Sequence, residues 1–233
     1  MTIGAKLAVI GFDADDTLWQ NERFFRLSQD RFESLLADFA DKDHLAERLL
    51  AAERRNLGHY GYGVKGFTLS MIETAIEITE DRVPARVIRE LIEIGQDLLA
   101  HPIELLPHAQ STVETLAHSH KILLITKGDL LDQERKLAQS GLGDLFAGVE
   151  IVSEKTAATY GAIFGGSPAL MAGNSLKSDV IPAIEAGAWG VHIPHDLTWA
   201  LEHAEAPTTA ERYRTLETLE HLPALVEEIE STA

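Results

Sequence analysis

Five short apolar runs separated by helical patterns constrain this chain more than any other feature. Leu7-Ala8-Val9-Ile10-Gly11-Phe12 is bounded by Lys6 and by an acidic cluster starting at Asp13, so it reads as a strand buried on both faces. Similar runs lie at 122–125, 149–152 and 169–172, with a fifth at 189–193. Helical patterns over 134–139, 156–164 and 180–186 fall between them. Each ends at a glycine (Gly141, Gly165 and Gly187) where a helix C-terminus accepts a left-handed residue. Alternation of this kind predicts βαβ units and an α/β fold built on a doubly wound parallel sheet.

The rhythm is broken once. Between the first run and the second there is no strand signal. Phe25, Phe32, Leu36 and Phe39 recur at helical spacing, then Leu45, Leu49 and Ala52, then Phe67, Met71, Ala75 and Ile78, then Val87, Leu91, Ile94 and Leu98. We therefore expect an all-helical cap of four helices over 19–104, inserted after the first strand. Residues 1–18 and 105–233 are expected to form the core. Such an insert would stand over the carboxyl ends of the strands, where open parallel sheets bind ligands. Toward the C-terminus, Thr208-Thr209 reads as a last short strand and 219–229 as a closing helix.

Composition narrows the partners. With 20 basic and 37 acidic residues the net charge is −17 and no basic run is present, which argues against nucleic acid and against anionic membrane surfaces. No stretch approaches the ~20 apolar residues of a membrane span. There is no cysteine, hence no disulfide framework, no thiolate metal site and no Cys nucleophile. The expectation is a cytoplasmic protein, a monomer or homodimer.

The first strand ends in Phe12-Asp13-Ala14-Asp15-Asp16-Thr17-Leu18-Trp19. Like charges this close are destabilising unless something positive binds them; the plainer alternative is that they cap the next helix. Alternation in an extended chain would put Asp13 and Asp15 on one side, able to share a cation or a substrate. Three later strand ends carry residues suited to phosphoryl transfer. Thr126, with the backbone N–H groups of Lys127 and Gly128, could hold phosphate oxygens; Lys155 could neutralise phosphate charge; Asp179, after Gly173-Asn174-Ser175, could complete an oxygen-lined Mg²⁺ site.

In this order and spacing, Asp13-x-Asp15-x-Thr17, Thr126, Lys155 and Gly173-Asn174-Ser175 followed by Asp179 resemble the haloacid dehalogenase superfamily. The resemblance implies a Rossmann-like core with Asp13 as nucleophile, forming an aspartyl-phosphate, and Asp15 as general acid and base. It also implies Mg²⁺ held by the Asp13 carboxylate, the Asp15 backbone carbonyl and the loop containing Asn174 and Asp179. Because a dehalogenase needs no acid at position 15, the expected activity is phosphatase action on a small phosphorylated metabolite. A phosphomutase or phosphotransferase is the enzyme alternative, and a catalytically silent binding protein the other. The chain departs from the family pattern at Lys127, where asparagine is frequent, and at Asn174, where aspartate is. Lys127 either adds positive charge near the substrate or points to solvent.

Gly61-Tyr62-Gly63-Val64-Lys65-Gly66 matches a dinucleotide fingerprint but follows the helical pattern 47–57 rather than a strand, so NAD binding is rejected. As a cap loop it offers Tyr60, Tyr62 and Lys65, with His59, to a substrate, or else is an ordinary helix–helix turn. Trp19, Asn21 and Glu22 lie where the chain leaves the core and could touch substrate or simply pack. The pairs His118/His120 and His192/His195 lack a third spaced ligand and are assigned no metal.

Overall fold

The computed structural model describes residues 6–232; residues 1–5 and 233, the outer limits of the expected core, lie outside the described residues. In chain order the elements are β1 (Val9–Phe12), α1 (Glu22–Leu35), α2 (Lys42–Tyr60), α3 (Val64–Ile78), α4 (Ala85–Ala100), α5 (Ala109–Ala117), β2 (Lys121–Lys127), α6 (Leu130–Ser140) and β3 (Gly148–Val152). They continue with α7 (Ala157–Phe164), β4 (Ala169–Gly173), α8 (Ile181–Glu185), β5 (Trp189–His192), β6 (Tyr213–Thr215) and α9 (Leu222–Thr232). The chain divides into two compact units, one of Met1–Glu22, Ile103–Lys127 and Gln133–Ala233, the other of Arg23–Pro102 and Gly128–Asp132.

The first unit is built on a six-stranded sheet in the order β3-β2-β1-β4-β5-β6, every pairing parallel. Strand residues alternate between two cores: Ile10, Phe12, Ile122, Leu124, Leu170 and Ala172 pack with α5 and α9, while Val9, Leu123, Ile125, Ala169 and Met171 pack with α7 and α8. Cover on both faces is why these runs are apolar throughout. At Gly11 the packing leaves no room for a side chain, since a Cβ there would come within 2.9 Å of both the Ile125 and Met171 side chains. The strand order reverses direction around β1, and such switch points open a crevice at the carboxyl ends of the strands. The chain leaves and re-enters this unit side by side, with Gln20 N–H donating to Glu104 C=O and Leu106 N–H to Leu18 C=O, both at 2.9 Å.

The second unit has its own core, from Phe24, Phe32 and Leu36 through Leu45, Leu49, Phe67, Met71 and Leu91 to Leu98. Asp41 caps α2 by accepting from His44 N–H at 3.0 Å, and Gly61, at φ +72°, ends that helix. Buried Asn56 donates to Ser70 Oγ at 3.1 Å and Glu73 Oε2 at 2.8 Å, so α2 and α3 are joined by a satisfied polar contact within an apolar seam.

Three expectations need correction. Phe39 is 46% exposed, because α1 stops at Leu35 before its period reaches that residue. β3 is not doubly buried: Val149 is 40% exposed, since β3 is an edge strand. The last strand is β6 at Tyr213–Thr215, and Thr208-Thr209 is a turn, closed by Thr208 N–H donating to Ala206 C=O at 2.8 Å. The helix expected at 180–186 forms as α8, led into by a π-helical turn, Leu176–Val180. Among the described residues no helix is long and apolar enough to cross a membrane.

Candidate functional site

Beyond Phe12 the ladder runs on by one residue, Asp13 N–H donating to Ala172 C=O at 2.9 Å; then Leu18 N–H donates to Ala14 C=O at 2.8 Å and Asp16 takes φ +60°, so the strand ends in a turn. Within the protein the three acids take separate partners.

Asp13, 6% exposed, accepts from Lys155 Nζ at 2.5 Å on Oδ1 and from the Thr17 hydroxyl at 3.0 Å on Oδ2. The same hydroxyl lies 3.3 Å from Asn174 Oδ1 and accepts from Asn174 N–H at 3.0 Å. Having one proton, it serves the nearer and charged acceptor, Asp13. Asp15 Oδ1 accepts from Trp19 Nε1 at 2.7 Å and from Lys136 Nζ at 3.0 Å, and Oδ2 from Gln133 Nε2 at 2.8 Å and Lys136 Nζ at 3.1 Å. Asp16 accepts from Asn21 N–H at 2.9 Å and Glu22 N–H at 3.0 Å, which makes it the cap of α1. The plain capping reading is thus right for one acid of the three. Burial raises the Asp16 carboxyl to about 6 against the pull of His195.

Lys155 closes the centre. Its ammonium bridges Asp13 Oδ1 and, at 2.7 Å, Asp179 Oδ1. Asp179, 1% exposed, also accepts from Ser175 N–H at 2.9 Å. It fits only because position 173 is glycine: a Cβ there would lie 2.3 Å from Asp179 Oδ2. Burial first, then Asp179, raises Asp13 to about 7, with Lys155 opposing. Burial would lower Lys155, but Asp13 and Asp179 outweigh it and hold the ammonium well above its usual range. Two carboxylates face one ammonium, and that buried excess of negative charge suits a hard divalent cation with oxygen ligands, for which Asn174 offers a further neutral oxygen.

Thr126 is buried at the end of β2, its hydroxyl 3.3 Å from Lys127 C=O. The Lys127 ammonium does not point to solvent: it donates at 2.8 Å to both Ser178 Oγ and Glu202 Oε1. Gly128 opens the segment 128–132 of the second unit. In that unit Tyr60 donates its hydroxyl to Glu73 Oε1 at 2.9 Å, Lys65 Nζ lies 3.3 Å from Asp129 Oδ1, and Tyr62 is half-buried in the loop between α2 and α3. No sequence signal marked out Gln133, Lys136, Ser178 or Glu202. Gln133 and Lys136 stand three apart on one face of α6, a spacing that signals a shared neighbour without saying which.

A family description, "haloacid dehalogenase-like hydrolase", matches residues 7–187. Among solved structures, a haloacid dehalogenase-like family hydrolase from Xanthomonas campestris is 41% identical, with a TM-score of 0.85 over 99% of this chain and 97% of that one. A predicted phosphoglycolate phosphatase from Haemophilus somnus (17%, TM-score 0.63, 94% and 97% covered) and an L-2-haloacid dehalogenase from Xanthobacter autotrophicus (16%, TM-score 0.64, 95% and 98% covered) share the fold. No curated protein matches the sequence. The family match over most of the chain, together with the near-complete 41% relative, shows that this chain belongs to the haloacid dehalogenase-like hydrolases.

Proposed function

We propose that the chain is a Mg²⁺-dependent phosphatase acting on a small phosphorylated metabolite. The observation that carries this reading is Asp15, a second carboxylate two residues beyond Asp13 with hydrogen-bonding partners of its own. Halide leaves without a proton, so a dehalogenase has no use for an acid there, whereas the oxygen leaving a phosphate monoester has. Asp13, Asp179, Asn174 and the Asp15 backbone carbonyl would hold Mg²⁺, which when bound supplies positive charge against the phosphoryl oxygens.

An Asp13 carboxylate oxygen bonds to phosphorus as the bond from phosphorus to the ester oxygen breaks, and that oxygen takes a proton from Asp15. Asp15, now ionised, then takes a proton from water. The water oxygen bonds to phosphorus, the bond from Asp13 to phosphorus breaks, and inorganic phosphate leaves. Throughout, Lys155 and the Thr126 hydroxyl offset charge on the phosphoryl group. A protonated Asp15 has fewer acceptor sites than an ionised one, so its bonds to Gln133 and Lys136 are remade within each cycle. Tyr60, Tyr62 and Lys65 of the helical unit are the residues we propose to contact the leaving group.

A panel of phosphorylated sugars, nucleotides and organic acids, run with Mg²⁺ beside a set of 2-haloacids, tests this. Stoichiometric inorganic phosphate is expected from some of the first set and no halide from the second. Halide release without phosphate release would overturn the reading, and phosphate passed to a second hydroxyl would assign a phosphotransferase.

A further inference from the structure

The chemistry just described gives no task to the Glu202 carboxylate, which is 15% exposed. Glu202 lies in the short turn Ala200–Glu202, in the connection between β5 and β6. Its Oε1 accepts from Lys127 Nζ at 2.8 Å; its Oε2 accepts from Ser175 Oγ at 2.6 Å and from Ser178 Oγ at 2.5 Å. These donors come from two strand ends that are not neighbours. Lys127 ends β2, next to Thr126, while Ser175 and Ser178 belong to the turn after β4 that carries Asn174 and Asp179; β1 lies between the two strands. One carboxylate therefore ties the phosphate side of the site to the cation side. The turn it grips is already closed on itself, with Ser178 N–H donating to Ser175 Oγ at 3.0 Å and Ser175 N–H to Asp179 Oδ2 at 2.9 Å. Lys177 Nζ donates to Leu201 C=O at 2.6 Å and pins the same segment from its other end.

The charges matter as much as the tether. Lys127 places an ammonium one residue from Thr126, where a divalent cation and a phosphate would both be near. Glu202 offsets that ammonium; without Glu202, Lys127 loses this carboxylate partner and opposes more strongly any cation that Asp13 and Asp179 attract.

We infer that Glu202 is a positioning residue for the cation site: it holds the turn carrying Asn174 and Asp179 and cancels the charge of Lys127. The inference rests on the Mg²⁺-dependent reading above. It is tested by calorimetric titration of MgCl₂ into the full chain without substrate, for wild type, E202Q, K127M and K127M/E202Q, with thermal melts of each. E202Q is expected to bind Mg²⁺ at least about tenfold more weakly than wild type. K127M/E202Q, which removes the Lys127 ammonium as well, is expected to recover most of that loss, a coupling that a double-mutant cycle isolates. A purely structural role would give no recovery of Mg²⁺ affinity in the double variant, whatever the melting temperatures. Wild-type affinity in E202Q, or a double variant no better than E202Q, overturns the inference. Normal Mg²⁺ binding by wild type without phosphate release from any substrate removes the phosphatase reading and leaves the Glu202 result to be judged alone. Absence of Mg²⁺ binding by wild type removes both.

Discussion

Two buried ionic clusters stand at the strand ends, and they are balanced differently. Around Lys155, two carboxylates share one ammonium, and Asp13 is held up at about 7 in consequence. Around Glu202, one carboxylate meets one ammonium and two hydroxyls, and each of its oxygens has a donor. The first cluster has charge left over for something that arrives from outside, as a site must. The second is complete by itself, as a support must be. The Lys155 cluster is also the deeper, with Lys155 2% and Asp179 1% exposed against 11% for Lys127 and 15% for Glu202, and depth and charge balance together separate a reactive cluster from a scaffolding one.

The sharpest way to break this comparison is to remove charge from the unbalanced cluster. Asp13→Asn keeps the shape and deletes one of the two competing carboxylates, so the fold should survive with an unchanged or higher melting temperature. Turnover should fall by at least about 10⁴-fold, as when a nucleophile is lost. Asp15→Asn should cost less, about 10²- to 10⁴-fold, the range of general acid–base catalysis, and less still with p-nitrophenyl phosphate, whose leaving group needs little protonation. Phosphate release by both variants on both substrate types decides it; a near wild-type rate in Asp13→Asn would remove the nucleophile assignment.

Removing the cation from the same cluster should act on stability. Lys155→Met strands Asp13 and Asp179 side by side in the interior, and breaking a buried pair in this way costs about 3–5 kcal/mol. Urea unfolding of wild type and variant at neutral pH measures it. A loss below 1 kcal/mol, the worth of an exposed ion pair, would mean that water reaches these carboxylates and that the contrast between the clusters is smaller than drawn.

The strand rhythm was legible in the sequence because burial on both faces is a local property of each run. The glycine stops were legible because a left-handed residue is needed at a helix end. Asp13, Lys155 and Asp179 could be set against strand ends in the same way, and the structure does bring those three together. What could not be read depends on turns and on packing. Asp15 is seated by a turn that Leu18 N–H closes by bonding back to Ala14 C=O, with Asp16 at φ +60°. Its partners Gln133 and Lys136 come from a helix more than a hundred residues away, and only the seating of α6 aims them at it. Glu202 was hidden for the same reason: nothing local distinguishes it from the many acids of an acidic chain. The exposure of Val149 follows from the position of β3 at the sheet edge, which strand order alone decides.

The balanced cluster gives the smallest and most specific effect, a pH dependence with a definite sign. Burial alone would raise the Glu202 carboxyl, but the Lys127 ammonium and the hydrogen bonds from Lys127, Ser175 and Ser178 outweigh it and hold the group below its usual range. A carboxylate lowered on folding binds its proton more weakly in the folded chain than in the unfolded one. Its contribution to stability is therefore complete above the ordinary glutamate value near ~4.3 and is lost as pH falls through the folded value. Glu202→Gln lacks that contribution at every pH, so the stability gap between wild type and variant should be widest at neutral pH and should narrow on the acid side. Urea unfolding of both proteins from pH 7 down to the lowest pH at which wild type stays folded follows the gap directly. A gap that does not change with pH would show that the shape of Glu202, and not its charge, completes the cluster, and the distinction between a charge-balanced and a charge-poised site would then rest on Lys155 alone.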